Sequence, residues 1–358
     1  MGVRERAKIP RSASAVAAVF NHRRAGAQTG ILMKDKVELQ ARVPQEMHGN
    51  RLDQVAALLF PDYSRSRLQG WIKKGELSVD GQLCRPRDKV SEGASLQINA
   101  ELEAEVGWQA QDINLDIVYE DDAILVLNKP AGLVVHPAAG HAQGTLVNAL
   151  LAHAPELAQL PRAGIVHRLD METSGLLVVA RTLPAHHHLV EQLQSRTVKR
   201  EYCALCIGAM TGGGTVDAPM GRHPRQRKKM AVLAAGGKPA VTHYRLAQRF
   251  GHHTRITVNL ETGRTHQIRV HMAHRHYPLI GDPLYGGRPR IPKGASALLI
   301  DTLRNFPRQA LHARSLGLIH PETEEYIQFE CPLPEDILEL IAVLEKEDPP
   351  LAPDTTFY

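Results

Sequence analysis

At 358 residues, 43% of them hydrophobic and 23% charged, the chain has a globular composition and room for two domains. Its apolar runs all fall short of the roughly 18 residues that a membrane-spanning helix needs, and four cysteines in so long a chain exclude a disulfide framework. That cysteine usage fits a reducing cytoplasm, and the formal net charge of +5 favours an anionic partner.

Residues 1–32 are rich in Ala and Arg. Their apolar stretch, 15–20, is too short for a secretory core and runs into Asn21-His22-Arg23-Arg24. The segment reads as a disordered leader or a misassigned start, in preference to an organelle transit peptide. Residues 33–49 lead into a small domain at 50–99. There Asn50 is the expected N-cap of a helix with Leu52, Val55, Ala56 and Leu59 at helical spacing, stopped at Pro61. A second helix follows Ser64, gathers Leu68, Trp71 and Ile72 on one side, and ends at Gly75. Arg65, Arg67, Lys73 and Lys74 lie off that apolar side. Residues 77–79 and 82–84 flank Asp80-Gly81 as a hairpin, and 95–99 alternate as one more strand. Two basic helices followed by small strands make an economical reader of RNA backbone, with those four basic residues as its contacts. A purely structural α/β module is the plainer alternative.

Residues 100–111 turn acidic and polar, as a linker does. A larger domain, 112–345, follows, with strands predicted at 117–120, 123–127, 164–170, 176–180, around Tyr202, and at 241–247, 255–260 and 316–319. Helices are predicted at 145–153, 184–194 and 334–344. Close turns between strands, with helices interspersed, imply an α+β class with a mixed, largely antiparallel sheet. The end of the chain, 346–358, carries three prolines and reads as a disordered tail.

Asp170 stands where a β-like run meets a short polar loop that ends at Gly175. A carboxylate there is rigidly held yet reachable, although an Asp beside Thr, Ser and Gly is more often a turn residue. From Ala218 through Leu260 there is no Asp or Glu, while Arg222, Arg225, Arg227, Lys228 and Lys229 cluster in that segment. A solvated face usually mixes signs, so this one reads as a polyanion contact. Cys203 and Cys206 form a lone CxxC on a strand, where residues three apart point to opposite faces. No second pair completes four ligands, so they read as buried thiols and no metal site is expected. Asp170 and Glu172 in one loop do not argue for a facing glycosidase pair. His271, His274 and His276 lack a metalloprotease motif, and Gly236-Gly237-Lys238-Pro239 lacks the rest of a P-loop.

Four stretches occur in order. They are His167-Arg168-Leu169-Asp170-Met171-Glu172-Thr173-Ser174-Gly175, Lys199-Arg200-Glu201-Tyr202 with Ala204-Leu205, Gly263-Arg264-Thr265-His266-Gln267-Ile268-Arg269-Val270-His271, and Gly281-Asp282-Pro283-Leu284-Tyr285-Gly286. Together they resemble the catalytic domain of the RluA-type pseudouridine synthases, over residues 112–345. The stretch from Arg51 through Ile98 resembles the S4 RNA-binding domain. The resemblance implies the pseudouridine synthase fold, no cofactor, and isomerisation of uridine: the N1–C1′ bond breaks, the uracil turns, and C5 takes the sugar.

The same resemblance makes Asp170 the reacting carboxylate, a nucleophile or a stabiliser of positive charge at the sugar. Attack at C1′, addition to the base and a glycal route all stay open. Arg264 is implied to lie beside that carboxylate, favouring its ionised form and orienting it. Tyr202 is implied to stack on the target base and move a proton, with Leu311 as apolar support beneath the pyrimidine. His167 and Arg168, which precede Asp170 in the motif, are expected to touch the substrate. Met171 departs from the Lys that many relatives carry after the catalytic Asp.

The target nucleotide must leave its stack, and the basic segment around Arg225 would grip the flanking RNA backbone. The likeness within the family implies the helix 69 loop of 23S rRNA, in pre-50S particles, with support of large-subunit assembly as the outcome. A cytoplasmic monomer without membrane contact is expected. The rival is a ribosome-assembly factor that binds rRNA without chemistry. It accounts for the basic segment and the S4-like domain, but not for Asp170, Tyr202 and Arg264 together.

Overall fold

Val37, Leu39 and Ala41 alternate with exposed residues, which makes a half-buried strand of a stretch that reads in sequence only as a lead-in. The computed structural model describes residues 36–61, 63, 65–101, 108–137, 143–226 and 228–350, and the chain divides into two units between 106 and 107. In the first, strands β1 (Lys36–Arg42), β2 (Leu77–Val79) and β3 (Ser95–Glu101) form an antiparallel sheet in the order β1-β3-β2. Helices α1 (Leu52–Leu59) and α2 (Arg65–Lys74) bury Leu52, Val55, Ala56, Leu68, Trp71 and Ile72 in one cluster with Leu77, Leu96 and Ile98 of the sheet.

Two local expectations change here. The N-cap of α1 is Arg51, because the Asn50 carbonyl accepts the Val90 N–H and the Arg51 guanidinium turns to Asp53. Asp80 and Gly81, at φ of 50° and 76°, do close a turn, but only Val79 and Gln82 bridge across it. The strand partner of β2 is β3, whose Leu96 and Ile98 are buried, whereas Gln82 and Leu83 are exposed. The leader at 1–32 lies outside the described residues, as do 102–107 of the linker; Ala100 and Glu101 complete β3 instead.

In the second unit the strands are β4 (Ile117–Glu120), β5 (Ile124–Lys129), β6 (Ser174–Ala180), β7 (Lys199–Ile207), β8 (Gly214–Asp217), β9 (Met220–Arg222), β10 (Met230–Val232), β11 (Val241–Arg249), β12 (His253–Leu260), β13 (Leu311–Ile319) and β14 (Tyr326–Glu330). Among the described residues nine of them form one sheet in the order β4-β5-β6-β13-β7-β12-β11-β8, with β14 added along the second half of β13. Its pairings are antiparallel except β6 with β13, where His312 meets Ser174 and Ala313 meets Gly175. The class is α+β with a mixed, largely antiparallel sheet.

Strand β6 is buried along its length. Leu177 and Val179 join a cluster with Leu146, Leu150 and Ile256; Leu176 and Val178 join another with Leu189 and Leu316. Both faces of the sheet are therefore covered at this strand. A Cβ on Gly175, at φ +113°, would overlap the Ala313 backbone, so the close approach of β6 and β13 requires glycine. Residues 164–170 are not the predicted strand. Ile165 makes a single bridge to Val179, and beyond it the His167 ring, not a strand carbonyl, accepts the Val178 N–H at 3.1 Å.

Helix α3 (Leu146–His153) starts in a capping box of Thr145 and Asn148, and α4 (Leu183–Ser195) starts at Thr182, whose side chain accepts the Ala185 N–H. Helices α5 (Gln267–His274) and α6 (Ala297–Asn305), like β8, β9, β10 and β14, are not apparent in the sequence pattern. Helix α7 (Glu335–Glu347) runs into the stretch expected as a tail. Asp348 beyond it is buried and hydrogen-bonded to Nδ1 of His253 at 2.7 Å, so order extends past 346, and 351–358 lie outside the described residues.

Candidate active site

Buried cations tie down the loop that carries Asp170. Lys129 is fully buried, and its Nζ donates to the carbonyls of Pro130, Leu133 and Met171 at 2.7, 2.9 and 2.9 Å. Burial pushes its ammonium down to about 8, against the opposing pull of Glu172 and Asp170. Arg308 donates to the Glu172 carbonyl at 3.1 Å while its remaining nitrogens fork onto Asp336. The Met171 side chain is exposed, and the residue contributes its carbonyl. The loop is thereby rigid although it is neither helix nor strand.

The Asp170 carboxylate meets two cationic or polar groups from α5 and its approach. Oδ2 accepts from Arg269 Nη1 at 3.0 Å, and Oδ1 lies 3.9 Å from His266 Nε2. Arg269 is itself buried and forks through Nε and Nη2 onto Asp282 at 2.7 and 2.9 Å. Asp282 is fixed in turn by the N–H groups of Leu284 and Tyr285. Burial works against the Arg269 charge, but the two carboxylates outweigh it and raise its pKa further. The guanidinium carbon also lies 5.1 Å from the centre of the Tyr285 ring.

Arg264 is therefore not the partner of Asp170. Its Nε donates to the Pro239 carbonyl at 3.0 Å, and its own N–H is held by the Gln267 side chain. The difference arises from where α5 begins: Arg269 lies within the helix and is buried, whereas Arg264 precedes it and stays half-buried.

Asp170, Tyr202, Arg264, Leu311, His167 and Arg168 nevertheless line one cleft of about 800 Å³, together with His266 and Arg269. Tyr202 on β7 is buried, and burial raises its phenol above the ordinary range. Leu311 opens β13 opposite Ala204 and is likewise buried. Burial and the charge of Arg200 push the His167 ring down to about 3, so it is neutral, and its Nε2 braces the loop against β6. Arg168 is exposed on the cleft wall. The cleft thus combines an aromatic ring, an apolar floor, a carboxylate and a guanidinium, which is a fit for a flat, uncharged base on a sugar.

The basic segment forms a two-stranded finger, β9 against β10, with Arg222 opposite Met230. Beyond β9 the His223 ring accepts the N–H groups of Arg225 and Gln226 at 3.1 Å each. Arg222, Arg225 and Lys228 are exposed and Lys229 is half-buried; Arg227 lies outside the described residues. In the first unit Arg65 is engaged by the fully buried Asp53, which also binds Arg51 and Gln69, so its guanidinium serves the fold. Lys73 and Lys74 are exposed at the end of α2, and Arg67 is half-buried.

Cys203 and Cys206 are buried, and burial pushes the first up to about 11 and the second higher. His271 is occupied by Thr242 and the Ala218 carbonyl. Among the described residues no group of three or more His, Cys, Asp or Glu is placed to hold a metal ion. Sequence reasoning gave no role to Arg269, Asp282, His266, Tyr285 or Lys129. The first four lie in motifs already singled out, where a second Arg and a lone Asp were the available signals.

The family model described as RNA pseudouridylate synthase matches residues 123–274, and that of the S4 domain matches residues 50–96. Ribosomal large subunit pseudouridine synthase D of Pseudomonas aeruginosa is 62% identical over 315 residues, covering 88% of this chain and 98% of that protein. The protein of the same name from Escherichia coli is 56% identical over 316 residues, covering 88% and 97%. Among solved structures, Human RNA Pseudouridylate Synthase Domain Containing 4 matches with a TM-score of 0.51 at 27% identity, over 64% of this chain and 92% of that one.

Proposed function

The chain belongs to the RNA pseudouridylate synthase family, and from that premise we propose that its target is the helix 69 loop of 23S rRNA, modified in support of large-subunit assembly. It is an isomerase, a ribosomal RNA pseudouridine synthase. The relatives named for the large ribosomal subunit support the choice of substrate. The pre-50S particle is the proposed partner, met by a cytoplasmic monomer. No helix among the described residues is long and apolar enough to cross a membrane.

Asp170 is the proposed reacting carboxylate. The observation that carries this reading is its place in the cleft beside Tyr202 and Leu311, with one oxygen held by Arg269 at 3.0 Å. In this proposal the uridine leaves its stack at a cost of a few kcal/mol, Tyr202 stacks on the base with Leu311 as apolar support, and Asp170 assists, at the sugar or at the base, as the N1–C1′ bond breaks and C5 takes the sugar. Arg269 takes the orienting role. The basic finger and the end of α2 contact flanking phosphates, from which looped RNA profits most.

An Asp170→Asn protein is expected to bind rRNA and make no pseudouridine. Carbodiimide-primed reverse transcription on 23S rRNA, from a deletion strain complemented with wild type or variant, reads reaction and target together. Modification restored by the variant would remove Asp170 from the reaction; a wild-type signal at another loop would move the target.

A further inference from the structure

Tyr285 joins the finger to the neighbourhood of Asp170. Its hydroxyl accepts the Met230 N–H of β10 at 2.9 Å and lies 2.8 Å from Nδ1 of His266. A backbone N–H can only donate, so the phenol oxygen accepts there and its single proton is available to His266. When the phenol donates to Nδ1, a neutral ring carries its own proton on Nε2, the nitrogen that lies 3.9 Å from Asp170 Oδ1. Burial keeps the ring below its ordinary pKa, aided by Arg269 and Arg168 and opposed by Asp170 and Asp282. His266 also stands at the N-terminus of α5 with a left-handed φ of 58° and no capping bond from its side chain. A strained non-glycine backbone persists when surrounding contacts determine it, and here the ring is turned to Tyr285.

We propose that His266 is a positioning residue for the isomerisation: its Nε2–H orients the Asp170 oxygen that Arg269 leaves free, and the Met230–Tyr285–His266 chain makes that orientation depend on how the finger is seated. A separation of 3.9 Å is too long for a hydrogen bond, and such contacts tighten when substrate binds. Docking of the finger on RNA closes the gap through Tyr285. The inference rests on Asp170 as the reacting carboxylate.

The test uses the full chain in excess over a stem-loop RNA carrying 5-tritiated uridine, with tritium release giving the single-turnover rate and filter binding giving affinity. Tyr285→Phe and His266→Asn are each expected to slow the rate about tenfold with affinity within about threefold of wild type, and the double variant is expected to be no slower than the slower single. His266→Gln, whose amide N–H reaches the place of Nε2–H but which has nothing at the place of Nδ1 to meet Tyr285, is expected to match the rate of Tyr285→Phe and to lose nothing more when Tyr285→Phe is added. Wild-type rates in both variants, a loss confined to affinity, additive losses, or a further loss when Tyr285→Phe is added to His266→Gln would each overturn the proposal. Asp170→Asn in the same assay separates the two readings. If it is inert while the Tyr285 and His266 variants turn over normally, only this inference falls; if it turns over, the assignment of Asp170 falls.

Discussion

Asp170 and Arg269 meet through one oxygen and one nitrogen, Oδ2 and Nη1, 3.0 Å apart, while the rest of the guanidinium is forked onto Asp282. A single planar cation thus holds the candidate carboxylate against a second, buried carboxylate. An ammonium is a point donor and cannot span both. Arg269→Lys is therefore expected to lower the single-turnover rate at least about a hundredfold, as loss of a preorganised charge contact does. Arg264→Lys is expected to stay within about fivefold, because its Nε serves a backbone carbonyl. Circular dichroism would check that both proteins fold, and the reverse order of rates would return the partnership to Arg264.

Tyr202 is buried and its phenol is raised by burial, so it keeps its proton throughout the range in which the enzyme can be assayed. Tyr202→Phe preserves the ring and removes the hydroxyl. RNA affinity should be unchanged, and the single-turnover rate should fall about a hundredfold if the hydroxyl moves a proton in the reaction. An unchanged rate would reduce Tyr202 to a stacking surface.

The finger makes an electrostatic prediction. Replacing Arg222, Arg225, Lys228 and Lys229 by Gln should weaken binding of a hairpin RNA and flatten the slope of log affinity against log salt by about 3, at roughly 0.7 to 0.9 per lost phosphate contact. A salt titration by filter binding measures this. An unchanged slope would mean that the finger does not touch phosphate.

Asp53 gives the first unit an acid-sensitive lock. Burial pushes its carboxyl up, but hydrogen bonds from Arg51, Arg65 and Gln69 outweigh this and leave it at about 2, below its ordinary 3.8. A depressed folded-state pKa contributes stability that is present above 3.8 and lost as pH falls through about 2. In a Trp108→Phe background the buried Trp71 reports this unit. The stability difference between Asp53 and Asp53→Asn proteins should be constant above about pH 5 and shrink towards about pH 2. A difference that stays level across that window would show that the lock does not depend on ionisation.

Local signals made several elements readable in advance. Leu52, Val55 and Ala56 at helical spacing mark α1, Gly75 at φ +79° ends α2, and alternation marks β11 and β12. The misses share one cause, which is that the deciding contact lies far away in sequence. The strand partner of β2 is β3 across an intervening turn and loop, and residues beyond Ile165 are denied a strand by the His167 ring on Val178. The ordered end of the chain depends on Asp348 reaching His253.

For the site, residue type and spacing determined the α+β class and the one-signed basic segment, because these are properties of the chain read in line, whereas the motifs around Asp170 and Tyr202 drew their meaning from their resemblance to the RluA-type pseudouridine synthases. The tertiary structure decided which arginine meets Asp170. Arg264 and Arg269 share one motif, and the choice between them is made by the start of α5 at Gln267 and by the buried Asp282 that receives the other side of the guanidinium. It also decided that Lys129, remote in sequence, lies under the Asp170 loop and that Tyr285 ties the finger to His266. A buried charge is fixed by the partners that replace its water, and those partners come from whatever segments the fold brings together.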